Sequence, residues 1–186
     1  MGHSAVSNNI DISKKLIITE FVGLLLCLIL SFVFHFAYEW LDKSPIIAWL
    51  FATNESVWEH GKIIFYPFLL FSVIEYVIIK PDNKVFFTAK AIPLVFCIPI
   101  MVAFFYTYSG IIGKNYTAVD ISLAIFLVIA MFAVSYKIII NGYVAKYWFI
   151  YLAVAILFVI LLITFTYYPP HINLFYDQLQ NRYGIK

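Results

Sequence analysis

Charge is what this sequence has least of. Only 12% of its 186 residues are Asp, Glu, Lys or Arg, while 64% are hydrophobic. A soluble domain carries about a quarter charged residues and about half apolar ones. That shortage excludes an ordinary soluble domain and places the chain in the integral membrane class. Cysteine is scarce too. Cys27 and Cys97 both lie in apolar runs, which excludes a disulfide framework, and no CxxC or zinc-finger spacing exists. Each is expected to be a buried thiol acting as a small hydrophobe. There is no HExxH motif, no internal repeat and no low-complexity tract. The net charge of +2 comes from scattered basic residues, so no face is built for nucleic acid. A cleavable signal peptide is not expected, because the first apolar run is too long and no small-residue cleavage site follows it.

What is there is mostly hydrocarbon. A helix needs about 20 apolar residues to cross the bilayer core. Five segments meet that length: roughly Leu16 to Phe36, Ile63 to Ile79, Ala91 to Ile112, Ala118 to Ile140 and Tyr147 to Thr166. The stretch from Ser44 to Ala52 is apolar but too short to span. The expected fold is therefore an all-α polytopic transmembrane helix bundle, with five spanning helices plus a short re-entrant or interfacial segment. Residues 1–13 are expected to be a mobile polar tail and 14–168 the bundle. Residues 169–186 form an extracytoplasmic end that either folds back over the bundle or lies on the membrane surface.

Basic residues set the orientation. With the N-terminus cytoplasmic, the inner side holds Lys14, Lys15, Lys80, Lys84, Lys90, Lys137 and Lys146. The outer side holds Lys43, Lys62, Lys114, Arg182 and Lys186. This excess favours a multi-pass protein of the cell membrane with its C-terminus extracytoplasmic. Trp40, Trp49 and Trp58 fall near the outer interface, as an aromatic belt does.

Under this topology His35, His60 and His171 all reach the outer face. Carboxylates join them. His35 and Glu39 stand four residues apart, as do Glu55 and Glu59, and that spacing puts both members of a pair on one helical face if each stretch is helical. Asp120 opens the fourth span on the same side, and Asp177 lies in the C-terminal segment. Imidazole and carboxylate suit a divalent metal such as zinc, iron or manganese, so His35, Glu39, Glu59 and His60 are candidate ligands. Against this stands the ordinary tendency of charged residues to gather at interfaces. Asn54 followed by Glu55 also reads as a helix cap, but a cap leaves Glu59 and His60 unexplained. Ionisable groups near hydrocarbon are costly and mark functional sites. Deeper in the membrane, Glu20 lies about 8 Å along span one from Lys15, and Glu75 lies at a similar depth on span two. Both read as satisfied polar residues between helices or as members of a proton relay.

Three stretches, FHFAYEW (34–40), NESVWEHGKIIFYP (54–67) and PPHINLFYDQLQNRYG (169–184), together resemble the DUF6512 family of small bacterial integral membrane proteins of unknown function. The family pattern is His-Phe-x-Tyr-Glu-Trp, then Val-Asn-Glu-Ser-x-Trp-Glu-His-x-Lys, then Pro-Pro near the end. The chain follows the second motif from Asn54 to Lys62. Thr53 replaces the Val, Gly61 replaces a larger residue, and Gln178 follows Asp177 where the third motif has Asp-Pro. The resemblance spans nearly the whole chain and implies no activity.

The residues themselves point to an enzyme at the outer face, a metal-dependent membrane hydrolase acting on a lipid-like or small hydrophobic ligand. Glu55 would be its general base, with Asn54 or Lys62 stabilising developing negative charge. A small transporter or substrate-capture subunit is the competing reading, carried by Glu20, Glu75 and the aromatic content. A non-catalytic membrane partner is the third. The bilayer is the surrounding partner in every case, and oligomers are allowed.

Overall fold

The computed structural model describes residues 2–185, with side chains described from Ser13 onward. It consists of five long helices: α1 (Gly2–Trp40), α2 (Val57–Ile79), α3 (Asn83–Ile112), α4 (Thr117–Ile140) and α5 (Trp148–Tyr167). Among the described residues all five are long and apolar enough to cross a membrane, α1 from Ser13 on. The segment expected to be a polar tail continues the first helix.

The helices alternate in direction. One end of the bundle collects the α1–α2 loop, the α3–α4 turn and the C-terminal segment. The other collects the start of α1, the α2–α3 turn and the α4–α5 loop. Helices α1 to α4 form a ring in which each packs on two neighbours, and α5 lies outside it, mainly against α3. The ring closes tightly at Gly23, where an added Cβ would fall 2.1 Å from the Phe71 ring. The missing side chain lets α1 and α2 approach, as small residues do between membrane helices. Pro67, Pro93 and Pro99 sit inside α2 and α3, a placement that neighbouring helices make tolerable in a membrane. Cys27 and Cys97 are free and buried, as expected.

Three local expectations change. The N-cap of α2 is Ser56, whose Oγ accepts from the Glu59 N–H at 3.4 Å. Asn54 instead accepts from the Ser56 N–H at 2.9 Å, an Asx turn that leads into the cap. Because the helix starts at Val57, Glu55 precedes it and shares no helical face with Glu59. Trp58 does not belong to an interfacial belt. It is buried between Phe165 and Phe175, with ring centroids 5.6 and 5.2 Å away.

Residues 44–52 form turns rather than a sixth spanning helix. The segment folds back on the end of α1, with the Ala52 N–H donating to Phe34 O at 3.1 Å. After Pro169 and Pro170 stop α5, a 3-10 turn (Asn173–Phe175) leads into a hairpin of β1 (Tyr176–Asp177) and β2 (Arg182–Tyr183). The C-terminal segment thus packs over the α1–α2 end.

Candidate metal centre

The α1–α2 end contains two polar assemblies, and the chain direction at Ser56 separates them. Glu59 and Lys62 turn inward and Glu55 and His60 turn outward.

The inward assembly is a closed ion pair. Lys62 is 0% exposed and Glu59 2%. The ammonium donates to Glu59 Oε2 at 2.8 Å, to Ala48 O at 2.8 Å and to Phe51 O at 3.1 Å. Three contacts match the three donors of an ammonium. Glu59 Oε2 also accepts from the Thr53 N–H and hydroxyl, each at 2.9 Å, and Oε1 accepts from Thr166 Oγ1 at 3.1 Å. The folded-back segment thus supplies carbonyls to a lysine that would otherwise be naked in hydrocarbon. Both charges are fully occupied, and neither is free to hold a metal or an oxyanion.

A second set of bonds fastens the C-terminal hairpin to the same loop. Asp177 Oδ2 accepts from the Glu55 N–H at 3.0 Å, while its Oδ1 accepts from the N–H groups of Leu179 and Gln180. Asn54 Nδ2 donates to Gly184 O at 3.1 Å, and Arg182 Nη2 donates to Thr53 O at 3.3 Å. Asn54 and Asp177 therefore hold the Glu55 backbone in place.

The outward assembly is His35, Glu55 and His60. Glu55 lies between the two imidazoles: Oε1 is 3.9 Å from His35 Nε2, and Oε2 is 3.4 Å from His60 Nε2. One donor atom from each residue lies within 4.8 Å of the other two. The ring centroids are 5.2 Å apart. All three side chains are partly exposed, at 25%, 41% and 31%. His60 Nδ1 lies 2.8 Å from Ser56 O. A carbonyl can only accept, so Nδ1 carries the proton, and the nitrogen facing Glu55 is left with a lone pair unless the ring is cationic. A lone pair aimed at a carboxylate needs a cation between them or a second proton on the ring. The contact from His60 is the main reason the Glu55 carboxyl ionises below the usual carboxylate range, with the charges of both histidines adding to it and burial opposing. His35 Nδ1 is buried without a partner.

The other candidates lie apart. Glu39 shares α1 with His35 but pairs with Lys43 at 3.6 Å on the surface. Asp120 accepts from Tyr108 Oη and from Asn115 Nδ2 at the α3–α4 corner. His171 stacks on Tyr183 at 4.5 Å. Glu20 and Glu75 sit toward the opposite end of the bundle. Sequence reasoning missed Thr53 and Thr166, which donate to Glu59, and Ser56, whose carbonyl holds His60, because single Ser and Thr residues carry no signal of their own. Lys90 was also misread. Counted among the basic residues of the inner side, it is buried inside α3; its position five residues into the apolar run from Val85 was the available sign.

The model of a family of unknown function, DUF6512, matches residues 6–185. The chain belongs to that family. No curated protein and no solved structure matches it. The family match spans all five helices and the hairpin, so the two polar assemblies and the strap over them fall within family territory. The family's description assigns no chemistry to them.

Proposed function

We propose that this multi-pass membrane protein binds a divalent metal ion, zinc by preference, through His35, Glu55 and His60 at its extracytoplasmic face. The observation that carries the reading is the convergence of two imidazole nitrogens and a carboxylate within 4.8 Å. Two histidines and a glutamate are a donor set of catalytic zinc sites, which keep a fourth position open. A tetrahedral zinc needs its donors about 3.3 Å apart. Glu55 faces the two imidazoles at 3.9 and 3.4 Å through different oxygens. With one donor atom from each residue the set lies within 4.8 Å, so binding would draw the donors together by up to about 1.5 Å. The bond from His60 Nδ1 to Ser56 O is the outer contact that orients a metal-binding imidazole. Partial exposure leaves the site reachable from the membrane surface.

Bound zinc would supply a water acidic enough to act as a nucleophile near neutral pH, so hydrolysis of a lipid-like substrate is the chemistry proposed. In this reading Glu55 is a ligand, Asn54 and Asp177 position its backbone, and Glu59–Lys62 forms the floor beneath. The alternative for the same atoms is an imidazolium–carboxylate pair. Zinc titration of the purified, detergent-solubilised chain separates the two. One ion per chain is expected to bind, with loss of at least tenfold in affinity for His35→Ala and for His60→Ala. Absence of zinc, manganese and iron binding by a folded chain would leave only the ion pair.

A further inference from the structure

Far from the metal centre, four helices meet around Lys90. Its ammonium contacts Glu75 Oε2 at 2.5 Å, Ser135 Oγ at 2.6 Å and Glu20 Oε1 at 3.3 Å. Ser135 donates to Glu20 Oε1 at 2.6 Å. The rings of Phe68, Phe86 and Phe132 surround the nitrogen at 5.2, 5.5 and 5.9 Å. Glu20 and Lys90 are 4% exposed and Glu75 is 0% exposed. Two acids thus share one base, all three buried between the helices.

That arithmetic does not balance. With both carboxylates ionised the cluster carries one uncompensated negative charge among apolar helices, which is expensive. Each acid turns one oxygen to Lys90 and leaves the other, Glu20 Oε2 and Glu75 Oε1, buried with no partner. Among the described residues no other cation pairs with either carboxylate. Lys84 on α3 and Lys137 on α4 are exposed, and Lys15 on α1 is exposed and donates to Ile78 O at 2.7 Å. Helix α5 has no charged residue, and the buried Cys27 thiol of α1 also lies in their field. Two carboxylates that cannot both ionise bind a proton in common.

We propose that Glu20 and Glu75, held by Lys90 and Ser135, form a binding site for one exchangeable proton inside the bilayer. Proton uptake converts one carboxylate to a carboxylic acid and takes the net charge between α1, α2, α3 and α4 from −1 to 0. Helix packing at this level is thereby tied to proton occupancy.

Infrared spectroscopy of the full chain in lipid at neutral pH tests this through the C=O stretch of a protonated carboxyl. Wild type is expected to show one such group, shifting in deuterium oxide. Glu20→Gln and Glu75→Gln should each abolish the band, because the remaining acid then pairs one-to-one with Lys90. Lys90→Met should about double it, and Ser135→Ala should retain it. A wild-type spectrum without the band, its loss on adding sodium at constant pH, or its survival in either glutamine variant would overturn the proposal. The wild-type spectrum decides even if a variant fails to fold.

Discussion

Two buried ion clusters, one near each end of the bundle, are built to different rules. At the α1–α2 end Glu59 and Lys62 match charge for charge, and every oxygen and ammonium donor has a partner. At the other end Glu20, Glu75 and Lys90 leave one acid unmatched and two oxygens unbonded. The comparison teaches that burial of charge alone does not distinguish scaffold from site. A saturated pair holds the fold, whereas a deficient one has capacity for a ligand. The half-exposed His35–Glu55–His60 group resembles the second kind at the His60–Glu55 contact, where two acceptors face each other unless a cation or a second ring proton joins them.

The sharpest way to break this contrast is to remove one partner of the saturated pair. Lys62→Met should destabilise the detergent-solubilised chain by about 3–5 kcal/mol, because Glu59 is left as an uncompensated buried charge. Adding Glu59→Gln should recover much of that loss in the same unfolding measurement. If Lys62→Met alone costs under about 1 kcal/mol, the pair is not the keystone described.

The fold was readable in the sequence because membrane spans are long and the hydrocarbon signal accumulates over some twenty residues. The family was readable in the NESVWEH and HFAYEW stretches, now matched over residues 6–185. The polar cluster at the α1–α2 end was half readable. His35 and His60 were placed at one end by topology, but the carboxylate lying between them is Glu55 rather than Glu39 or Glu59. The helix start at Val57 decides that, and it depends on the Ser56 cap and on Asp177 across 122 positions of chain. The role of Lys62 was hidden for the same reason. Its partners are backbone carbonyls of a segment whose apolar side chains, Ala48 and Phe51, announce nothing.

A middle-sized effect concerns the ring itself. Gly23→Ala would drive a methyl group into Phe71, and overpacking of this kind costs about 1–3 kcal/mol. The double variant with Phe71→Leu should regain part of it, read by thermal unfolding in the same detergent. Smaller in stability but direct for function is Asp177→Ala, which removes the acceptor from the Glu55 N–H. Loss of such an outer contact lowers metal affinity about 10–100-fold, so zinc titration should weaken by that factor while the helical circular dichroism is unchanged.

The smallest expected effect follows pH. The Glu55 carboxyl ionises lower in the folded chain than when unfolded, chiefly through its contact with His60. Its stabilising contribution is therefore present above the unfolded value, about 4.3, and disappears as pH falls through the folded value. The stability gap between metal-free wild type and Glu55→Gln should be open near neutral pH and close on acidification, in unfolding curves collected across that range. A gap that widens toward acid would reverse the sign of the coupling.

X-ray absorption at the zinc edge of the loaded, full-length chain tests the central claim most directly. Two imidazole nitrogens and light oxygen donors at about 2.0–2.2 Å are expected, falling to one imidazole in His35→Ala. A zinc shell without imidazole, or one unchanged by that substitution, would contradict the assignment of His35, Glu55 and His60 as the metal centre.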